Sequence, residues 1–146
     1  MGNTDGARAA RLDVWLTPDD WSGIRAAALL MGWGRGAPDT TARVGNLSAM
    51  LRAAVAALAD GEPLTTPNRQ RIDVARLQAV IRANGMDATI NDEDGYLAER
   101  HPIRLSVDER GALASLASDA GITRGARATP DSSAYVRALL RLVAGL

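Results

Sequence analysis

Arg11-Leu-Asp-Val-Trp-Leu-Thr-Pro-Asp-Asp20 and, 89 residues further on, Arg100-His-Pro-Ile-Arg-Leu-Ser-Val-Asp-Glu109 follow one pattern. Each runs a short apolar/polar alternation into a helix start. Side chains alternate across a strand, so Leu12, Val14 and Leu16 share one face, and Arg11, Asp13 and Trp15 the other. In the second stretch Ile103 and Leu105 face inward, and Arg100, Pro102 and Arg104 outward. Thr17 and Ser106 are candidate N-caps. Pro18 suits the first helical position, and Asp19-Asp20 and Asp108-Glu109 supply first-turn acids that complement the helix dipole.

The correspondence extends outward from these junctions. The first helix carries Trp21, Ile24, Ala28 and Met31 at helical spacing and ends at Gly32; its counterpart carries Leu113, Leu116 and Ala117 and ends at Gly121. After a loop, Leu47-Ser-Ala-Met-Leu-Arg52 matches Ser132-Ser-Ala-Tyr-Val-Arg137 at an offset of 85, so the second loop is four residues shorter. Asn46 and Asp131 are the expected caps of these second helices. Their apolar faces are Leu47, Met50, Leu51, Ala54, Val55 and Leu58 in one, and Val136, Leu139, Leu140 and Val143 in the other. The expected organisation is a disordered arm over 1–10, a strand-helix-helix unit over 11–61, a connecting insert over 62–99, and a second unit over 100–146. In the insert, Thr66-Pro67 predicts a helix start, with Ile72, Leu77, Val80 and Ile81 available for burial and Asn84-Gly85 as the stop. An acidic loop follows, with Asp87, Asp92, Glu93, Asp94 and Glu99 and no base.

Composition narrows the function. The chain has 146 residues, 47% of them apolar, with no Phe. Its 17 basic residues are all Arg and are balanced by 17 acids, so no global charge argument for nucleic acid exists. Without Cys there is no disulfide frame and no thiolate chemistry, and the single His101 makes no zinc site by itself. His101 reads as a surface residue or a partner for Glu99. Gly-x-Ser-x-Gly is absent. Gly34 and Gly36 lack a following Gly-Lys-Ser/Thr, and the acidic turn lacks calcium-loop spacing. No enzyme, cofactor or metal is expected. No apolar run is long enough to span a membrane, so the chain reads as soluble and cytoplasmic.

A strand-helix-helix unit cannot bury its own apolar face, but two can, if their strands pair antiparallel over four helices. With these junctions, and the Asn46-Leu-Ser and Asp131-Ser-Ser helix starts, the chain resembles the ribbon-helix-helix family of Arc- and MetJ-type repressors, here as a tandem single-chain pseudo-dimer. The fold class expected is mainly α with a short two-stranded antiparallel ribbon. The resemblance implies double-stranded DNA as partner, with the ribbon in the major groove, and a role in transcription regulation or plasmid maintenance and transfer. It implies base reading by Arg11, Asp13, Trp15, Arg100, Pro102 and Arg104. Phosphates would fall to the starts of the second helices (Asn46, Ser48, Ser132, Ser133) and to Arg35, Arg43, Arg124 and Arg127 in the preceding loops. Arg suits guanine, and Asp13 can accept from cytosine N4. Trp15 and Pro102 are poor hydrogen-bonding readers, and Asp131 puts a negative charge where a phosphate would dock. The two strands differ outward except at Arg11 and Arg100, which implies an asymmetric site. A second reading keeps the fold as a protein-interaction module docking at Trp15 and Pro102.

Overall fold

In a computed structural model that describes residues 10–35, 44–85 and 99–146, the chain runs β1 (Ala10–Leu16), α1 (Pro18–Leu30), β2 (Gly34–Arg35), β3 (Val44–Gly45), α2 (Leu47–Asp60), β4 (Leu64–Thr65), β5 (Arg71–Ile72), α3 (Val74–Asn84), β6 (Glu99–Leu105), α4 (Val107–Asp119), β7 (Thr123–Arg124), β8 (Thr129–Pro130) and α5 (Ser132–Val143). It is mainly helical, with short two-stranded antiparallel sheets. The expected arm, apart from Ala10, and the acidic loop from Asp87 through Asp94 lie outside the described residues, as does Arg43.

β1 and β6 pair antiparallel, with Arg11 opposite Arg104, Asp13 opposite Pro102 and Trp15 opposite Arg100. Leu12, Val14, Leu16, Ile103 and Leu105 are buried beneath this ribbon. Both strands are edges, which is how Pro102 is tolerated without an N–H. His101 departs from expectation. It shares the parity of Ile103, is half buried, and stacks on Trp21 with ring centroids 3.7 Å apart and planes 11° from parallel. Strand alternation turns it inward, where an aromatic face covers it.

The expected caps form. Thr17 Oγ1 accepts from the Asp20 amide at 3.0 Å. Ser106 and Glu109 make a reciprocal capping box. Asn46 accepts from Ala49 N–H and Asp131 from Ala134 N–H, each at 3.1 Å. Such caps contribute about 1 kcal/mol each. Gly32, at φ +100°, and Gly121, at φ +75°, turn the chain past the first helices. Trp33 then donates its N–H to Ala28 O at 2.9 Å and accepts from Asn46 N–H at 2.7 Å. Ile122, 89 residues later, donates to Ala117 O at 2.9 Å and accepts from Asp131 N–H at 2.9 Å. The inter-helix segments expected as loops are thus partly paired, β2 with β3 and β7 with β8.

The insert corrects the sequence reading at its start. Thr66-Pro67 opens a turn, not a helix. Thr66 Oγ1 accepts from Gln70 N–H at 2.9 Å and Thr66 N–H donates to Gln70 O at 2.9 Å. β4 and β5 flank this turn, and Arg69 sits at φ +69° within it. The helix begins eight residues later, with Asp73 accepting from Arg76 N–H at 3.1 Å. The turn covers the end of α1: Asn68 N–H reaches Met31 O at 3.1 Å and Asn68 Nδ2 reaches Leu30 O at 3.0 Å, satisfying carbonyls the helix leaves open. Val74 and Ile81 are buried, whereas Val80 is 37% exposed, against expectation.

α3 packs on α2 and α5. This encloses α5, in which every residue from Ala134 to Leu140 is buried. The contact carries a polar network. Tyr135 Oη donates to Gln78 Oε1, and Gln78 Nε2 donates to Leu116 O at 3.3 Å and Asp119 Oδ2 at 3.1 Å. Arg82 also pairs with Asp119, and Arg82 followed by Gln78 holds that carboxyl below its ordinary range. Burial raises the Tyr135 phenol well above its usual value, so it stays a neutral donor.

Two stability measurements probe this arrangement. A Cβ on Gly45 would lie 1.9 Å from Arg25 O, so Gly45→Ala should cost at least about 3 kcal/mol in urea unfolding or abolish folding. Tyr135→Phe strips Gln78 Oε1 of its buried donor and should cost about 1–3 kcal/mol; an unchanged urea midpoint would mean that the network contributes nothing.

Candidate nucleic-acid interface

The outward face of the ribbon is a small, cation-rich surface. Arg11, Arg100, Pro102 and Arg104 are exposed, Asp13 is half buried, and Trp15 is 42% exposed. Three guanidinium groups thus share the face with one carboxylate. Arg11 Nε donates to Asp13 Oδ1 at 2.9 Å. All six residues expected to read bases therefore lie on one accessible surface.

Trp15 is held by its backbone. Its N–H donates to Ser133 Oγ at 3.3 Å, and its carbonyl accepts from Arg137 Nη1 at 2.9 Å. Arg137 is only 4% exposed. Burial pulls its guanidinium below the ordinary range, opposed by the charges of Asp131 and Asp20. Sequence reasoning misses Arg137 as a structural residue. The available signal is an arginine inside the apolar run Ala134 to Leu140, where a cation persists only if partnered.

The expected phosphate-contacting residues divide. At the start of α2, Ser48 lines a cleft of about 180 Å³ with Trp21, Gly45, Leu47, His101, Pro102 and Ile103. The helix start and the ribbon edge thus share one opening. Arg25 lies over the Trp21 ring, 5.2 Å from its centroid, on the same aromatic stack. At the start of α5, Ser132 and Ser133 are half buried, and the Ser133 hydroxyl serves the ribbon amide. The caps Asn46 and Asp131 each spend a side-chain oxygen on their own helix. Arg124 and Arg127 are exposed on the β7–β8 turn, which leads directly into α5. Arg35 lies in β2, and its side chain is outside the described residues.

Two ion pairs brace this surface from below. Arg52 Nε on α2 meets Glu109 Oε2 on α4 at 2.7 Å, and Arg141 Nε on α5 meets Asp20 Oδ1 on α1 at 3.2 Å. Each joins the second helix of one half to the first helix of the other. Asp20, read from sequence as a dipole complement, is also a buried ion-pair partner at 4% exposure. Among the described residues no group of three metal-ligating side chains converges, and no helix is long and apolar enough to cross a membrane. No protein-family model, curated protein or solved structure matches the chain.

Burial works to raise the Glu109 carboxyl, but the Arg52 hydrogen bond, the Ser106 bonds and the Arg52 charge outweigh it and hold the group below its ordinary range. A depressed carboxyl contributes stability above its unfolded value, about 4.3, and loses it as pH falls through the folded value. Glu109→Gln keeps an acceptor for the Ser106 amide and removes the charge. Its urea midpoint should be below wild type at pH 7, and the gap should close as pH falls below about 4. A gap of constant size across that range would show that the ion pair does not contribute.

Proposed function

We propose that the chain is a sequence-specific double-stranded DNA-binding protein of the ribbon-helix-helix type, acting as a transcription regulator or an accessory factor in plasmid maintenance or transfer. On this reading its two strand-helix-helix units form a pseudo-dimer within one chain. The observation that carries it is the register of the ribbon. Asp13 lies opposite Pro102, its counterpart 89 residues on. A twofold relation requires counterparts to meet at the centre and the flanking pairs to exchange partners. Arg11 accordingly faces Arg104, the counterpart of Trp15, while Trp15 faces Arg100, the counterpart of Arg11. The paired bonds of Trp33 and Ile122, and the two cross-braces Arg52–Glu109 and Arg141–Asp20, are consistent with the same relation.

A two-stranded ribbon fits the major groove, where base edges carry a full donor and acceptor code. Arg11, Arg100 and Arg104 would each contribute about 1–3 kcal/mol of discrimination if bidentate to a guanine. The amides at the starts of α2 and α5 would take flanking phosphates, fixing register without reading sequence. With one carboxylate among three cations on the ribbon, few counterions are displaced there, so affinity should depend on salt less steeply than for a strongly basic protein.

Fluorescence anisotropy with a random-sequence duplex tests this directly. Binding is expected at about 50 mM salt and should weaken by at least tenfold at about 200 mM. Arg104→Glu, a charge reversal on the exposed ribbon face, should weaken it at least tenfold, and Arg76→Glu, on exposed α3 surface, should leave it unchanged. Absence of binding at the lower salt overturns the reading. A salt-insensitive protein complex lost on Trp15→Ala would instead support the interaction-module reading, which the exposed Trp15 favours.

A further inference from the structure

The two ends of the ribbon are chemically different. At one end Arg11 and Arg104 stand directly opposite each other on the exposed face. Like charges in opposed cross-strand positions repel, and the arrangement weakens a ribbon standing alone. One carboxylate, Asp13, lies at that end, and it is bonded to Arg11 Nε. With two exposed guanidinium groups against one carboxylate, the end carries net positive charge. At the other end Trp15 stands opposite Arg100. Its indole is 42% exposed although both backbone polar groups are tied down, by Ser133 and by Arg137. A large apolar ring is thus presented on a fixed backbone. Between the ends lie Asp13 and Pro102, the first an acceptor and the second without a polar side chain.

We infer that the ribbon reads DNA with fixed polarity: Arg11 and Arg104 at one end take guanines, and Trp15 beside Arg100 at the other takes the methyl edge of thymine next to a guanine. This rests on the DNA-binding reading proposed above and adds to it the base class at each end and the orientation of the chain on its site. Guanine offers two acceptors, O6 and N7, to a guanidinium fork, and the C5-methyl of thymine is the one apolar group of the major-groove edge. From Arg11 to Trp15 is four residues, about 13 Å of strand, or about four base-pair steps. Arg11 and Arg104 are cross-strand neighbours about 5 Å apart, so their guanines fall on the same or adjacent base pairs. The recognised core is accordingly about five base pairs, guanine-rich at one end and thymine-bearing at the other. A palindrome would let the protein bind in two orientations; this core admits one. The insert, whose turn caps α1 and whose helix packs on α2 and α5, is thereby directed to one flank of the site.

The experiment is a selection of tight-binding duplexes from a random library with the wild-type chain, followed by single-atom changes in the selected duplex. A non-palindromic core with guanine and thymine at opposite ends is expected. Replacing thymine by deoxyuridine at the Trp15 end should weaken wild-type binding about fourfold, the worth of one buried methylene, and should not affect Trp15→Ala. Replacing either guanine at the far end by 7-deazaguanine should weaken wild type about tenfold, and Arg11→Ala and Arg104→Ala should each lose that sensitivity at one of the two guanines and keep it at the other. The deoxyuridine series needs no variant, so wild type indifferent to every such replacement overturns the proposal even if a variant fails to fold. A palindromic core overturns the polarity while leaving DNA binding intact. Failure to select any duplex overturns both.

Discussion

The pairing of Ala10–Leu16 with Glu99–Leu105 is the constraint on which the rest depends. Among the described residues neither strand has another partner, so the ribbon depends on segments 89 residues apart meeting. Its inner face carries Leu12, Val14, Leu16, Ile103 and Leu105, with His101 beside them under Trp21, and those apolar side chains leave water only if helices from both strand-helix-helix segments close beneath them. At about 25 cal/mol per Å² of apolar surface, burying five such residues offsets much of the entropy lost in closing so long a loop. The ion pairs Arg52–Glu109 and Arg141–Asp20 follow from this closure, since each needs both halves in place. The same pairing sets the outer face, because alternation sends Arg11, Asp13 and Trp15 outward as surely as it sends Leu12 and Val14 inward.

Local chemistry was legible in the sequence wherever a short signal had one outcome. Thr17-Pro18, Ser106 with Glu109, Asn46, Asp131, Gly32 and Gly121 all mark helix boundaries that the structure contains. Alternation placed all six outward ribbon residues. Thr66-Pro67 carried the same start signal as Thr17-Pro18 and yielded a turn. The difference lies in the residues after each proline. Acids and an apolar residue reinforce the helix after Pro18. After Pro67 come Asn68, which is drawn to the open end of α1, and Arg69, which adopts a positive φ.

What the sequence did not disclose is tertiary. Periodicity assigns His101 to a face but cannot say that Trp21 covers it. Gln78 and Tyr135 are 57 residues apart, and nothing in either neighbourhood announces a hydrogen bond. Arg137 reads as the polar position of an amphipathic helix until α5 packs against β1 and offers it the Trp15 carbonyl as an acceptor. Each case is a polar group whose partner arrives from a distant segment, and burial then makes the partnership obligatory.

Likeness and difference between the halves reside in separate parts of the molecule. The resemblances are backbone bonds and caps: Trp33 and Ile122 make the same pair of main-chain contacts, and Thr17 and Ser106 cap in the same way. Most of the differences on the ribbon sit on its outward face, at Asp13 against Pro102 and Trp15 against Arg104; Leu12 against His101 is the inward exception, and Trp21 covers it. A dimer of identical chains has no such freedom, because any change in one strand appears in both. On the pseudo-dimer reading, joining the units removes that coupling and leaves the outward positions free to diverge, while the inward pairs Val14 with Ile103 and Leu16 with Leu105 stay apolar. Under the DNA-binding reading, this freedom is what a single-chain arrangement adds: a symmetric frame can carry a directional surface. The insert belongs to the same logic. It enters the chain between the two strand-helix-helix segments and packs α3 against α2 and α5 with no counterpart among the described residues, so on the pseudo-dimer reading the asymmetry extends to the helices as well as the ribbon.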